Sequence, residues 1–244
     1  MSKQSTNTII QKLNYKDILI IFGIWYFIAT FNFLMGKIVF KYTPQLTGLI
    51  HFSFVFCGRF LYLALILFYL ISFHSVSFTE LGLSFSNIKQ QLFPGFYLIT
   101  FFGAVALILI NLPLSFQTLS SKFDPLYQIT NPGHFINSLL PLILIFIPSL
   151  IIALSEQLIL DNIIYEMFNL KINSTIAAIL ASLFYSFFLL TFDPGQILIN
   201  CFIAAISIYL YIRVNGSLYL PTFFMASYYT IYICYIYGWD FIKF

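Results

Sequence analysis

Few side chains in this sequence could do chemistry, and nearly all of them are set among apolar neighbours. Glu156 stands in Ser155-Glu156-Gln157-Leu158-Ile159-Leu160-Asp161-Asn162. A carboxylate there could serve as a general base that activates water, or it could pair with a cation. On a helix Gln157 and Asp161 are four residues apart and share a face, so the Gln157 amide is expected to donate to the Asp161 carboxylate. Glu156 is turned away from Gln157 by about 100°. Arg59 interrupts the apolar run Leu49–Phe73. A cation in that place snorkels, pairs with a carboxylate or faces a central cavity. The histidines, His51, His74 and His134, lie on other segments. Cys57, Cys201 and Cys234 sit in apolar runs without CxxC spacing and read as small buried hydrophobes. A metal site needs about three or four His, Asp, Glu or Cys ligands. No such spacing occurs, so no cofactor and no metal ligand is expected.

The elements that hold these residues follow from composition. Of 244 residues, 61% are hydrophobic, 20% aromatic and 8% charged, and the mean hydropathy is +0.95. A soluble domain carries about 25% charged residues, so a water-soluble fold is excluded. A formal charge of +3 is too small for a phosphate-tracking surface, which excludes nucleic acid as a partner. The lipid bilayer is the expected partner, with a second membrane protein as a further candidate.

A crossing takes about 20 apolar residues. After a polar N-terminal segment, residues 1–17, such runs begin at Ile18–Met35, Leu49–Phe73, Phe96–Phe116, Ser138–Leu160, Thr175–Phe192, Gln196–Ile212 and Leu218–Tyr237. Lys37 and Lys41 follow the first run and no small-residue cleavage site does, so it is expected to be a retained span. The expected fold is all-α, a polytopic transmembrane bundle of about seven spans. Residues 18–95 form the N-terminal helices and an amphipathic connector, and residues 96–244 form the helical core. A loop is expected over Gln117–Asn137, where Pro125, Pro132 and Gly133 concentrate. Lys3, Lys12, Lys16, Lys89, Lys171 and Arg213 fall on one side, against Lys37, Lys41, Lys122 and Lys243 on the other. That bias places the N-terminus inside. The expected location is a prokaryotic plasma membrane with a cytoplasmic N-terminus. Asn173-Ser174-Thr175 matches a glycosylation acceptor but falls on the inner side, where the match is chance.

The chain resembles the CPBP family, the CAAX prenyl endopeptidase and bacteriocin-processing membrane proteins also called the Abi family. Members carry Glu-Glu-x-x-x-Arg, then Phe-x-x-x-His, then His-x-x-x-Asn/Asp on a last helix introduced by a Gly-Ser-Leu-x-x-Pro-like turn. Here the first motif aligns to Glu156-Gln157-Leu158-Ile159-Leu160-Asp161, and the second to Tyr185-Ser186-Phe187-Phe188-Leu189. Gly216-Ser217-Leu218-Tyr219-Leu220-Pro221 introduces the third, Met225-Ala226-Ser227-Tyr228-Tyr229. The Glu80-Leu81-Gly82-Leu83 connector looks like the segment that precedes this domain in relatives.

The resemblance implies a site in which a glutamate activates water while histidines and an amide stabilise the oxyanion or hold zinc. Of those polar positions only Glu156 survives. Gln157 replaces the second glutamate, Asp161 the arginine, Leu189 and Met225 the histidines, and Tyr229 the Asn/Asp. Leu189 cannot bind a metal, and the Met225 thioether is unsuited to zinc hydrolysis. The expectation is a protease-like fold with a dismantled site, Glu156 facing a cavity beside Leu189 and Met225. Such a protein would act as a scaffold, partner subunit or immunity-type factor. The alternatives are an active intramembrane endopeptidase that would need zinc, and a small transporter or membrane-complex subunit holding Arg59 and Glu156 as an internal pair.

Overall fold

The protein is seen here as a computed structural model that describes residues 8–42, 47–84, 88–97, 132–189 and 194–237. Among the described residues the regular structure is all helical. The helices are α1 (Thr8–Lys12), α2 (Tyr15–Tyr42), α3 (Thr47–His74), α4 (Pro132–Ile159), α5 (Glu166–Asn169), α6 (Ser174–Phe188), α7 (Pro194–Arg213) and α8 (Tyr219–Tyr237). A π-helical turn, Leu160–Tyr165, joins α4 to α5 without a break, and residues 88–97 form a further helical segment.

Among the described residues, three helical stretches are long and apolar enough to cross a membrane: Tyr15–Ile38, Ser53–His74 and Ile145–Asn169. Only 17% and 28% of the first two are buried inside the bundle, against 72% of the third. The α4–π–α5 rod is therefore the central element, and α2 and α3 pack at its side. Ser174–Phe188 and Ile197–Arg213 are shorter apolar helices. Most of the expected third span, Phe96–Phe116, lies outside the described residues.

The core follows from which faces the helices turn inward. Ile21, Trp25 and Ile28 of α2 meet Tyr62, Ile66 and Leu70 of α3 in one cluster with Leu158, Ile159, Ile163 and Ile164. Phe27, Phe31, Phe33 and Leu34 of α2 and Phe187, Leu198 and Phe202 of α6 and α7 face outward. An apolar exterior is stable in lipid and unstable in water. The polar N-terminal segment contributes Ile9, Ile10 and Leu13 to the same core. Several buried hydroxyls are satisfied within their own helices: Ser149 donates to the Ile145 carbonyl (2.8 Å), Ser182 to Ala178 (2.7 Å) and Thr230 to Ala226 (2.8 Å).

Several boundaries differ from the sequence expectation. Pro132 and Gly133 open α4 instead of closing a loop, since proline suits the first turn of a helix. The fourth span does not end at Leu160. No Pro or Gly occurs between Pro148 and Asn173, and the helix runs on to Asn169. Asn173 is the N-cap of α6, its side chain accepting from Thr175 N at 2.9 Å, which gives the apparent glycosylation acceptor a structural role.

Two turns position the polar residues of the rod. In the connector, Ser77 N donates to Glu80 Oε2 (2.7 Å) and Glu80 N to Ser77 Oγ (3.2 Å), a reciprocal capping box. Gly82 then takes φ +72° and lies against the turn made by Gly216, φ +82°. Ser217 Oγ and Leu218 N both donate to the Gly82 carbonyl, at 3.2 and 3.3 Å. A β-carbon on Gly82 would collide with the Gly216 carbonyl oxygen. The connector and the Gly-Ser-Leu turn, far apart in sequence, are thus one junction.

Candidate functional site

Glu156 lies on the last turn of α4, just before the π turn, and is 3% exposed. Its neighbours come from three other helices. Arg59 Nη2 of α3 stands 3.3 Å from Glu156 Oε1. Tyr185 of α6 donates its hydroxyl to Oε2 at 2.5 Å, and Tyr229 of α8 donates to the same oxygen. The guanidinium carbon of Arg59 sits 3.5 Å from the Trp25 ring centroid, a cation–π contact of the kind that strengthens when desolvated. Trp25 is itself held by Tyr62, edge-on at 4.9 Å, and by the tilted ring of Phe188 at 5.0 Å. Five helices, α2, α3, α4, α6 and α8, therefore converge on one ion pair.

Of the residues aligned with the family motif, the structure joins Glu156 and Tyr229 directly. Leu189 and Met225 belong to different apolar clusters, and Tyr229 borders that of Met225. Met225 packs with Ala153, Phe224 and Ala226 in a small apolar cluster, and Leu189 packs against the larger core. Each lies one turn from a tyrosine that does reach Glu156. The groups that α6 and α8 present to Glu156 are thus phenols.

Gln157 and Asp161 correct the sequence expectation. Ser207 Oγ donates to Gln157 Oε1 at 2.7 Å. Gln157 Nε2 and both Asp161 oxygens are buried and have no hydrogen-bond partner among the described residues. The i,i+4 bond is missing because the π turn begins at Leu160 and widens the winding at the second residue.

A second polar cluster surrounds that turn. Asn162 donates to the Leu81 carbonyl (3.2 Å) and accepts from the Tyr211 hydroxyl (2.9 Å). Tyr211 also reaches Glu166 Oε1 (3.3 Å), and Asn169 donates to Glu166 Oε2 (3.3 Å). Glu166 and Tyr211 carry no motif. The signal for Glu166 was the unbroken stretch after Pro148, which lets Asp161, Asn162, Glu166 and Asn169 continue one helix.

The remaining candidates lie elsewhere. His74 Nε2 is 3.4 Å from Asp17 Oδ1, to which Tyr69 donates at 2.6 Å, an arrangement tying the ends of α2 and α3. The side chains of His51, His134 and Cys234 lie outside the described residues. Cys57 and Cys201 are free thiols, and Cys57 is exposed rather than buried because it falls on the outer face of α3. In the connector, Lys12 Nζ meets Glu80 Oε1 at 2.7 Å. This hydrogen bond, aided by the Ser77 backbone N–H, holds the Glu80 carboxyl down at about 2.

Zinc does not fit. Among the described residues no group of three or more His, Cys, Asp or Glu side chains could hold a metal ion, and around Glu156 the positions of ligands are taken by a guanidinium and two phenols. No family model matches the chain, and neither does any curated protein or solved structure.

Proposed function

We propose that this chain is an integral membrane protein of seven spans and CPBP-like architecture, with a cytoplasmic N-terminus, that has no proteolytic activity and serves as a scaffold or partner of another membrane protein. The observation that carries the reading is the saturation of Glu156. A carboxylate that activates water needs a free acceptor directed at that water and a neighbour that stabilises developing negative charge. Here Oε2 accepts from two tyrosines and Oε1 faces Arg59. The carboxylate works as the hub of a helix junction. The docking of Gly82 on Ser217 supports the family resemblance, since it brings together the two segments that carry it.

The test compares wild type with Glu156→Gln in the same membranes, using prenylated and leader-type peptides. Equal background cleavage in both is expected. Cleavage by the wild type that disappears in the variant overturns the reading and favours the endopeptidase alternative. Purification in mild detergent is expected to retain a membrane partner in fixed stoichiometry.

A second reading, a small transporter or membrane-complex subunit, is favoured by one observation. Buried polar side chains continue along the central rod from Glu156 through Gln157, Asp161 and Asn162 to Glu166.

A further inference from the structure

We propose that Asp161 and Glu166, with Asn162 and Tyr211, form a site within the bundle for a small monovalent cation, either a proton or an alkali-metal ion. The π turn carries Asp161, and Glu166 follows at its end. Their exposures are 0% and 3%. Tyr211 links Asn162 to Glu166, while Asp161, with neither oxygen partnered among the described residues, lies within electrostatic reach of Glu166, Tyr165 and Tyr211. Tyr211 and Asn169 donate to the two Glu166 oxygens, so the oxygens left without a donor among the described residues are those of Asp161.

Among the described residues, the elements packed around this turn supply no positive charge to it. From α4 come Glu156, already bound, and Gln157, whose Nε2 is unpartnered. From α7 come Ser207 and Tyr211, and from α6 Ser174, which bonds to Tyr165 at 2.8 Å. From α1 comes Lys12, whose Nζ is engaged by Glu80 and, at 3.2 Å, by the Ser75 carbonyl. Arg59 is engaged by Glu156. None of the ion pairs among the described residues includes Asp161 or Glu166.

Two acids withdrawn from water without a counter-charge are costly, and one positive charge taken up between them offsets that cost. Calcium and magnesium require about six oxygen ligands or more, beyond what two carboxylates, one amide and one phenol present. A single charge matches the set. Intramembrane acids commonly mark ion or proton sites, and π turns commonly mark functional ones.

The experiment uses the full chain in lipid nanodiscs. The thermal unfolding midpoint is measured at fixed pH and ionic strength in sodium, potassium, lithium or N-methylglucamine chloride, and the carboxyl C=O stretch is recorded by infrared difference spectroscopy. An alkali-metal site raises the midpoint in one alkali salt over N-methylglucamine, and the rise is lost in Asp161→Asn. A proton site leaves the midpoint indifferent to the salt and shows a protonated-carboxyl band that Asp161→Asn removes. Glu166→Gln is read in the same two assays, so the result stands if one variant fails to fold. Glu80→Gln, outside the cluster, keeps the wild-type response. Neither response in the wild type, or responses unchanged in both Asp161→Asn and Glu166→Gln, overturns the proposal.

Discussion

The Arg59 guanidinium and the Glu156 carboxylate stand 3.3 Å apart in the interior of the bundle, with Trp25 stacked on the cation and two phenols on the anion. Each charge is thereby surrounded by groups that replace water. Such a pair adds little net stability over a well-packed apolar substitute, but it is unforgiving of half-removal. Its effect is on which helices meet, and where.

Breaking the pair from one side therefore destabilises the protein more than removing it altogether. Arg59→Leu and Glu156→Leu are each expected to cost about 3–5 kcal/mol, because each strands a buried charge. The double variant is expected to cost clearly less than the sum. Unfolding midpoints in a double-mutant cycle measure the coupling, and strict additivity would refute the interaction.

The phenols make a finer test. Tyr185→Phe or Tyr229→Phe removes one donor to a charged acceptor, a loss of about 1.5–3 kcal/mol. Both donate to Glu156 Oε2, so the second deletion acts on a carboxylate that has already lost support. Their effects are expected to be coupled, whereas Tyr209→Phe, on the outer side of α7, leaves the midpoint unchanged.

The connector gives a pH dependence. Glu80 is held at about 2, below its ordinary 4.5. Its link to Lys12 thus stabilises the fold fully above about pH 4.5, and that contribution is lost as the pH falls through about 2. Both side chains are partly exposed, so the effect is modest and weakens with salt. Glu80→Gln is expected to flatten the acid limb of the stability profile. An unchanged limb would show that the link contributes nothing.

Gly82→Ala should loosen the junction between connector and last helix. The substitution places a side chain at φ +72° and against the Gly216 carbonyl. Strain of this kind costs about 1–3 kcal/mol. Faster amide exchange at Leu218, whose N–H donates to the Gly82 carbonyl, would report the local opening.

Much of this architecture is legible in the residues. Continuous apolar runs predict helices, and α3, α7 and α8 end within a few residues of where charge and turn chemistry place them. Glu156 stands out because an acid in an apolar run needs explaining, and pairing with Arg59 is only one of the alternatives the residues offer. The Tyr229 hydroxyl is also readable as a possible donor. Tyr185 is not, because tyrosine is abundant here and nothing local distinguishes one that reaches inward. The π turn hides for a different reason. Spacing arguments assume a constant winding, and the extra residue that removes Asp161 from Gln157 has no signature in composition.

The stacking of Arg59 on Trp25 has a consequence for the order in which the protein is made. Both residues leave the ribosome well before Glu156 and Tyr229 do. In that interval α3 carries a cation whose placement at the bilayer centre costs about 2.5–3.5 kcal/mol on insertion scales. The indole that contacts the guanidinium in the finished fold is on chain already synthesised by then, so this one contact needs nothing made later. The carboxylate is the last partner of the cation to be made.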